Sequence, residues 1–196
     1  MSKVAVILAD GFEEIEALTV VDVLRRAKVE CDMISINKTE VTGAHNISVK
    51  ADAIISDKIK EYDLIVLPGG MPGSTNLRDN DKVIEIVKYF SENNKLIGAI
   101  CAAPIVLAKS DVIEGRTITS YPGYEEELSK ANYISDKIVV EDGNIITSRG
   151  PATALEFSYK LLEKLGVSYK ELSDGMMYDF LKSTSAFKKI VHHSIT

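Results

Sequence analysis

Three groups of residues in this chain have the types and spacing to do chemistry. The first is Cys101, in the stretch Lys95 to Ser110, KLIGAICAAPIVLAKS. Leu96 to Ile100 is a short apolar run suited to a buried strand, and Ala102 to Lys109 suits a helix, with Pro104 tolerated in its first turn. Cys101 falls on the turn between them, the geometry of a nucleophile elbow, although no G-x-S-x-G string surrounds it. Free N–H groups and partial positive charge at a helix start favour an anion, so the expectation is a thiol pKa below the usual value of about 8.5. The same residue also reads as a small buried hydrophobe, which most free cysteines are.

The second group is acidic. Glu13, Glu14 and Glu16 look like one solvated cluster, but the helical neighbours of Glu16 are Phe12, Glu13, Thr19 and Val20, three of them uncharged. Either Glu16 faces solvent, the commoner fate of a glutamate, or it points inward. Inward, its pKa would rise and its carboxyl could hydrogen-bond a thiolate. The third group is Pro68-Gly69-Gly70-Met71-Pro72-Gly73. Gly69 and Gly70 could offer backbone N–H groups to an anion, with Ala102 N–H as a further donor, or the glycines could simply make a turn.

The elements that would position these groups alternate. Val4 to Leu8 and Asp63 to Leu67 are continuous apolar runs, as in strands covered on both faces. Phe12 to Ala27 reads as a helix, with Asp10 and Glu13 at capping-box spacing. Val29 to Ile36 is a second strand that buries Cys31, and Val41 to Lys50 holds a hairpin turning at Gly43. Ala51 to Glu61 is indistinct, and Asp79 to Glu92 is an amphipathic helix. Arg116 to Ser120 is a short strand ending at Tyr121-Pro122-Gly123. Lys137 to Val140 and Ile145 to Ser148 flank a hairpin signal at Glu141 to Asn144. The Arg149 loop leads into a helix over Ala152 to Leu165, and a last helix is expected over Tyr169 to Lys182, ahead of a patternless tail from Ser183 to Thr196. The pattern predicts an α/β fold, doubly wound, with a mostly parallel sheet and helices on both faces. In such a sheet the site lies beyond the strands' carboxyl ends, where Asp10, Pro68 to Gly73, Cys101, Tyr121 and Arg149 can converge.

Bulk properties narrow the function. The 196 residues fit a single domain over 1–196, and 45% hydrophobic with 27% charged residues is ordinary for a soluble globular protein. A net charge of −6 without a basic block argues against nucleic acid or an anionic membrane as partner. The chain opens directly on a strand, and no apolar run is long enough to span a bilayer. Two distant cysteines, and histidines only at His45, His192 and His193, make no metal pattern. A reducing cytoplasm and free thiols, with no metal site, are expected. The helix holding Glu16 carries more apolar positions than one face needs, including Val20, Val21, Val23 and Leu24, which predicts a homodimer.

VAVILADGFEEIEALTVVDVLRRA, DLIVLPGGMPGSTNL, LIGAICAAP and TSRGPATALEF, in this order, resemble the ThiJ/PfpI superfamily, and specifically its Parkinson-disease-associated protein deglycase branch. The resemblance runs from about residue 3 to about residue 165. It implies a flavodoxin-like sandwich that usually dimerises, partly through its first helix. It implies that Cys101 is the reactive cysteine, that Glu16 hydrogen-bonds to it, and that Gly70 and Ala102 line an anion pocket. The activities implied are cofactor-independent glyoxalase and deglycation of glyoxal-derived adducts, with chaperone behaviour and oxidative-stress sensing. In the sensing reading Cys101 is oxidised to sulfinate. Other branches are proteases or amidase-like enzymes. The family often places a histidine after the cysteine or in the loop after the next strand; here Ala102 and Tyr121 stand there. That counts against proteolysis and leaves Cys101 and Glu16 to carry any chemistry. His45 sits near a position the family uses for a basic residue at the pocket or dimer interface, and Tyr121 and Arg149 complete the expected pocket.

Overall fold

The structure is a computed structural model that describes residues 2–183. Its strands are β1 (Lys3–Leu8), β2 (Glu30–Ser35), β3 (Glu40–Thr42), β4 (Ser48–Lys50), β5 (Ala53–Ile54), β6 (Leu64–Leu67), β7 (Leu96–Ile100), β8 (Thr117–Ile118), β9 (Asn132–Tyr133), β10 (Val139–Asp142) and β11 (Ile145–Ser148). Its α-helices are α1 (Glu14–Arg26), α2 (Gly73–Arg78), α3 (Asp81–Glu92), α4 (Pro104–Lys109), α5 (Ala154–Lys164), α6 (Lys170–Gly175) and α7 (Tyr178–Ser183). Seven strands form one sheet in the order β10-β11-β7-β6-β1-β2-β5. All its pairings are parallel except the β10–β11 hairpin at one edge. The expected α/β, doubly wound, flavodoxin-like architecture is the one observed.

Alternate side chains of the central strands feed two cores, as a period of two requires. Val4, Val6 and Leu8 of β1 meet Val20 and Leu24 of α1 and Phe157 and Leu161 of α5. Ala5 and Ile7 meet Ile86, Val87 and Phe90 of α3 and Val106 of α4 on the opposite face. With both faces covered, these strands must be apolar throughout, which is why they were readable as unbroken runs. From β1 the chain goes through α1 to β2 on one side, and β6 lies on the other. The strand order therefore switches between β1 and β6, the point beyond whose carboxyl ends sheets of this kind carry their sites. Two turns meet there: Glu13 N–H donates to Gly69 O at 2.9 Å, and Gly73 N–H to Gly11 O at 3.1 Å.

Several boundaries differ from the sequence reading. α1 begins at Glu14, and its cap is Glu13, not Asp10; the Asp10 carboxylate instead accepts the Thr42 N–H of β3 at 3.0 Å. Gly11, at φ +85°, turns the chain there and sends Phe12 into the core before the helix starts. The strand expected over Arg116 to Ser120 is two residues long and pairs with β9 outside the main sheet. The helix expected over Tyr169 to Lys182 is two short helices, broken where Met177 takes φ +60°. The indistinct stretch Ala51 to Glu61 holds β5 and a 3-10 turn at Asp57–Glu61. The β3–β4 and β10–β11 hairpins form as expected. Val20, Val21, Val23 and Leu24 are all buried within the chain itself, so the apolar surplus read as a dimer face is consumed by β1, β2 and α5. His192, His193 and most of the patternless tail lie outside the described residues.

Candidate active site

β7 ends at Ile100, and the next residue, Cys101, takes φ +63°, a left-handed conformation that only glycine adopts without cost. Two backbone bonds hold it there. Its N–H donates to Ser148 O at the end of β11 (3.0 Å), and its carbonyl accepts the Tyr121 N–H (2.9 Å). The turn is thus the sharp strand-to-helix elbow the sequence suggested, pinned from both sides. Cys101 is part-exposed, whereas Cys31, on β2, is buried.

Glu16 is fully buried on the first turn of α1. Its Oε2 accepts the Gly69 N–H at 2.7 Å. Its Oε1 is buried and meets no hydrogen-bond partner of good geometry among the described residues; the Cys101 thiol is the ionisable neighbour it interacts with. Gly69 separates the two groups tightly: a Cβ there would sit 2.6 Å from both the Cys101 Cβ and Glu16 Oε2. Gly70, at φ +91°, packs its Cα against the backbone of Gly11 to Glu13 so closely that a Cβ would lie 2.4 Å from Glu13 N. Glycine is required at both places, for room at the first and for conformation as well at the second.

The electrostatics depart from the expectation at Cys101. Its thiol is pushed up to about 12, first by burial, then by the Glu16 charge and its contact with Glu16. The Ala102 and Gly70 N–H groups act in the opposite direction and lower the value, but by less. A lowered pKa was expected from a helix end; α4 starts only at Pro104, is six residues long, and a buried carboxyl lies nearer. Glu16 is itself raised to about 7, by burial before all else, with a smaller upward push from Glu13, while Cys101 and the Gly69 N–H act downward. Two acids in one dry site hold a single negative charge at less cost than two. When Glu16 holds a proton, its charge no longer opposes the thiolate. Glu16 is therefore the member of the pair that titrates near neutral pH, while the Cys101 thiol keeps its proton there.

Of the other residues expected at the site, Gly70 and Ala102 direct their N–H groups at the Cys101 sulfur. Gly69 differs from its expected part in the anion pocket, because its N–H is already given to Glu16. Tyr121 reaches Cys101 through its backbone, and its exposed ring lies along Gly150, where a Cβ would be 3.3 Å from Cδ2. Arg149, on the loop after β11, donates from Nη1 to Thr119 Oγ1 at 3.1 Å. His45 pairs with Glu14 and not with Cys101: its Nδ1 lies 2.8 Å from Glu14 Oε2. That pair raises His45 and lowers Glu14.

Sequence reasoning missed Glu13, whose carboxylate accepts the Glu16 N–H at 2.7 Å, and Tyr124, whose phenol is raised by burial and by the charge of Cys101. The spacing of Glu13 to Glu16 was a signal for the first; nothing marked the second. Among the described residues, Glu13, Glu14 and His45 bring donor atoms within 4.8 Å of one another. Glu14 already accepts N–H groups from His45 and Ile47, and Glu13 accepts that of Glu16, so the group is accounted for as hydrogen-bonded caps with one ion pair. A cleft of about 620 Å³ lies elsewhere, between α5, α6 and α7, and is lined by Tyr159, Tyr169 and Tyr178 rather than by residues near Cys101.

A doubly wound sheet with a pinned elbow cysteine, a buried glutamate and a glycine loop at its switch point defines a class of cysteine-centred α/β proteins. The chain belongs to the DJ-1/PfpI family, whose model matches residues 2–164. It is 41% identical to protein dj-1beta of Drosophila melanogaster, over 90% of this chain and 98% of that protein. It is 36% identical to the Parkinson disease protein 7 homolog of Danio rerio, over 83% of this chain and 89% of that one. The crystal structure of Drosophila DJ-1beta superposes with a TM-score of 0.85, covering 90% of this chain and 98% of that one at 39% identity. A structure of oxidized Toxoplasma gondii DJ-1 superposes with a TM-score of 0.81, covering 94% and 100% at 33% identity.

Proposed function

We propose that the protein is a cofactor-independent glyoxalase or deglycase that acts on methylglyoxal or glyoxal-derived adducts through Cys101. The observation that carries this reading is the buried Glu16 carboxyl, raised to about 7, beside a thiol whose sulfur is faced by the Gly70 and Ala102 N–H groups. The Cys101 sulfur adds to the aldehyde carbon, and its proton passes to the developing alkoxide by way of Glu16, giving a hemithioacetal. The Gly70 and Ala102 N–H groups stabilise the oxyanion as it forms. Glu16 as carboxylate then removes the proton from the former aldehyde carbon, and as acid returns a proton to the neighbouring carbon. The aldehyde carbon is thereby oxidised and the ketone carbon reduced within one molecule, leaving a lactoyl thioester. Water cleaves the thioester, releasing lactate and restoring the thiol.

A second reading is supported by the same geometry and by an oxidized form among the structural relatives. Here the Cys101 sulfinate accepts from Gly70 and Ala102 N–H and from protonated Glu16, and the protein senses oxidative stress, as a chaperone or otherwise. A cysteine hydrolase is the weakest reading, because Ala102 and Tyr121 occupy the two positions where the family often places a histidine. Lactate production from methylglyoxal without glutathione separates the first two. The expected result is turnover in the wild type, none in Cys101→Ser, and a loss of about 10²- to 10⁴-fold in Glu16→Gln. A wild type without turnover, in which peroxide oxidation of Cys101 depends on Glu16, would establish the sensor instead.

Assembly as a homodimer is part of the proposal, now on different grounds. Ile15 and Ile47 are exposed and both adjoin Glu14, the first in sequence and the second through its N–H, so they share one surface. Light scattering should give twice the chain mass at micromolar concentration; a monomer mass would refute this. No helix among the described residues is long and apolar enough to cross a membrane. A cytoplasmic setting is proposed from the free thiols.

A further inference from the structure

The inference concerns Glu13 and rests on the reading that Glu16 holds and hands over a proton. Glu13, Glu14 and Glu16 are all buried, at 7%, 4% and 0% exposure. Glu14 is answered by His45. Glu13 makes no ion pair among the described residues, although His45 lies close enough to feel its charge, and its carboxylate accepts one backbone donor, the N–H of Glu16 at 2.7 Å. Its own N–H donates to Gly69 O at 2.9 Å, and Gly69 N–H donates to Glu16 Oε2 at 2.7 Å. These three bonds close a ring. The ring ties the Glu16 backbone to Glu13, Glu13 to the Gly69 peptide, and that peptide back to the Glu16 carboxyl. The next residue along is Gly70, whose N–H faces the Cys101 sulfur.

An ordinary N-cap would need only an oxygen, and Ser, Asn or Asp would serve better than glutamate. A glutamate here adds a charge that is largely shielded from water and lies one helical turn from a second, deeper carboxyl. Like charges in a dry site make the deeper group keep its proton. The other titratable group that bears on Glu16 is the Cys101 thiol, from the elbow after β7; His45, from the β3–β4 hairpin, bears on Glu14 and Glu13 instead. We propose that Glu13 is a positioning residue whose ring of hydrogen bonds fixes the Gly69–Gly70 loop over Cys101 and whose carboxylate adds to the effect of burial on Glu16.

The test is a titration of the Glu16 carboxyl by ¹³C NMR on glutamate-labelled protein, its signal assigned by loss in Glu16→Gln. It is run on wild type, Glu13→Gln, Glu13→Ser and Glu13→Asp, with circular dichroism as the check on folding. Gln and Ser keep a capping oxygen and remove the charge; Ser, the stronger cap, carries the test alone if the Gln variant fails to fold. Removing the charge lets Glu16 ionise more easily, so the expected midpoint falls by about half a pH unit or more in both neutral variants. Asp keeps the charge and should hold the wild-type midpoint to about 0.2 pH unit. An unchanged midpoint in folded Glu13→Gln or Glu13→Ser makes Glu13 a cap and nothing more, and overturns the proposal. So does a fall in Glu13→Asp as large as in the neutral variants. A wild-type Glu16 that titrates in the ordinary carboxylate range would overturn the underlying reading of Glu16 instead.

Discussion

If burial raises Glu16 from its ordinary value near 4.5 to about 7, folding stability must depend on pH in a defined way. The folded protein binds the neutral carboxyl in preference to the charged one. Between pH 4.5 and 7 it therefore holds more proton at this site than the unfolded chain does. Stability from Glu16 is fully present below pH 4.5 and is lost as pH rises through 7. At about 1.36 kcal/mol per pH unit the loss comes to about 3 kcal/mol. Glu16→Gln is the matching perturbation, since the amide oxygen can accept the Gly69 N–H and the amide nitrogen can face Cys101 as the protonated acid does. Urea denaturation of both proteins from pH 4 to pH 8.5 should show the mutant gaining on the wild type as pH rises, by about 3 kcal/mol across the range. The difference between the two proteins is the quantity to plot. The His45–Glu14 pair also loses stability as pH rises through the raised pKa of His45, but it does so equally in both and cancels. Cys101 titrates above this range. A difference constant to within about 0.5 kcal/mol from pH 4 to 8.5 would refute the claim that Glu16 is buried as a neutral acid.

Other outcomes follow from the same geometry. Mass-resolved alkylation of the native protein should modify the part-exposed Cys101 well before Cys31, which is buried on β2; both thiols are pushed up to about 12, so access decides the order, and equal labelling would contradict the site as drawn. Gly69→Ala should destabilise by about 1–3 kcal/mol in urea and slow Cys101 chemistry, because its methyl would lie 2.6 Å from the cysteine Cβ and the Glu16 oxygen. Gly115→Ala, left-handed at φ +70° with open space around it, should cost about 1–2 kcal/mol from backbone strain and leave Cys101 reactivity unchanged. Tyr121→His keeps the backbone bond to Cys101 and adds a group that titrates near pH 6.5; turnover should rise or its optimum move toward neutrality. An unchanged rate profile would mean that Glu16 already suffices.

Much of this protein was determined locally. Val4 to Leu8, Leu64 to Leu67 and Leu96 to Ile100 are apolar on both faces because both faces are covered, and an unbroken run needs no partner to be recognised. The elbow at Cys101 and the glycine loop at Gly69-Gly70 were readable for the same reason: a strand that ends at a turn residue says so within a few positions. What the sequence by itself left open was the environment of each group. Glu13, Glu14 and Glu16 are the same residue type within one helical turn, yet one caps the helix, one pairs with His45 and one is sealed against Cys101. Only the packing of the Gly69 loop and the β3–β4 hairpin around α1 distinguishes them. The direction of the Cys101 pKa was decided in the same way, since the helix end acts through sequence neighbours and Glu16 acts across the fold. Val20, Val21, Val23 and Leu24 looked surplus because α5, which helps cover them, lies more than a hundred residues further along the chain. Hydrophobic periodicity reports that a face is buried, and the tertiary structure alone decides what buries it.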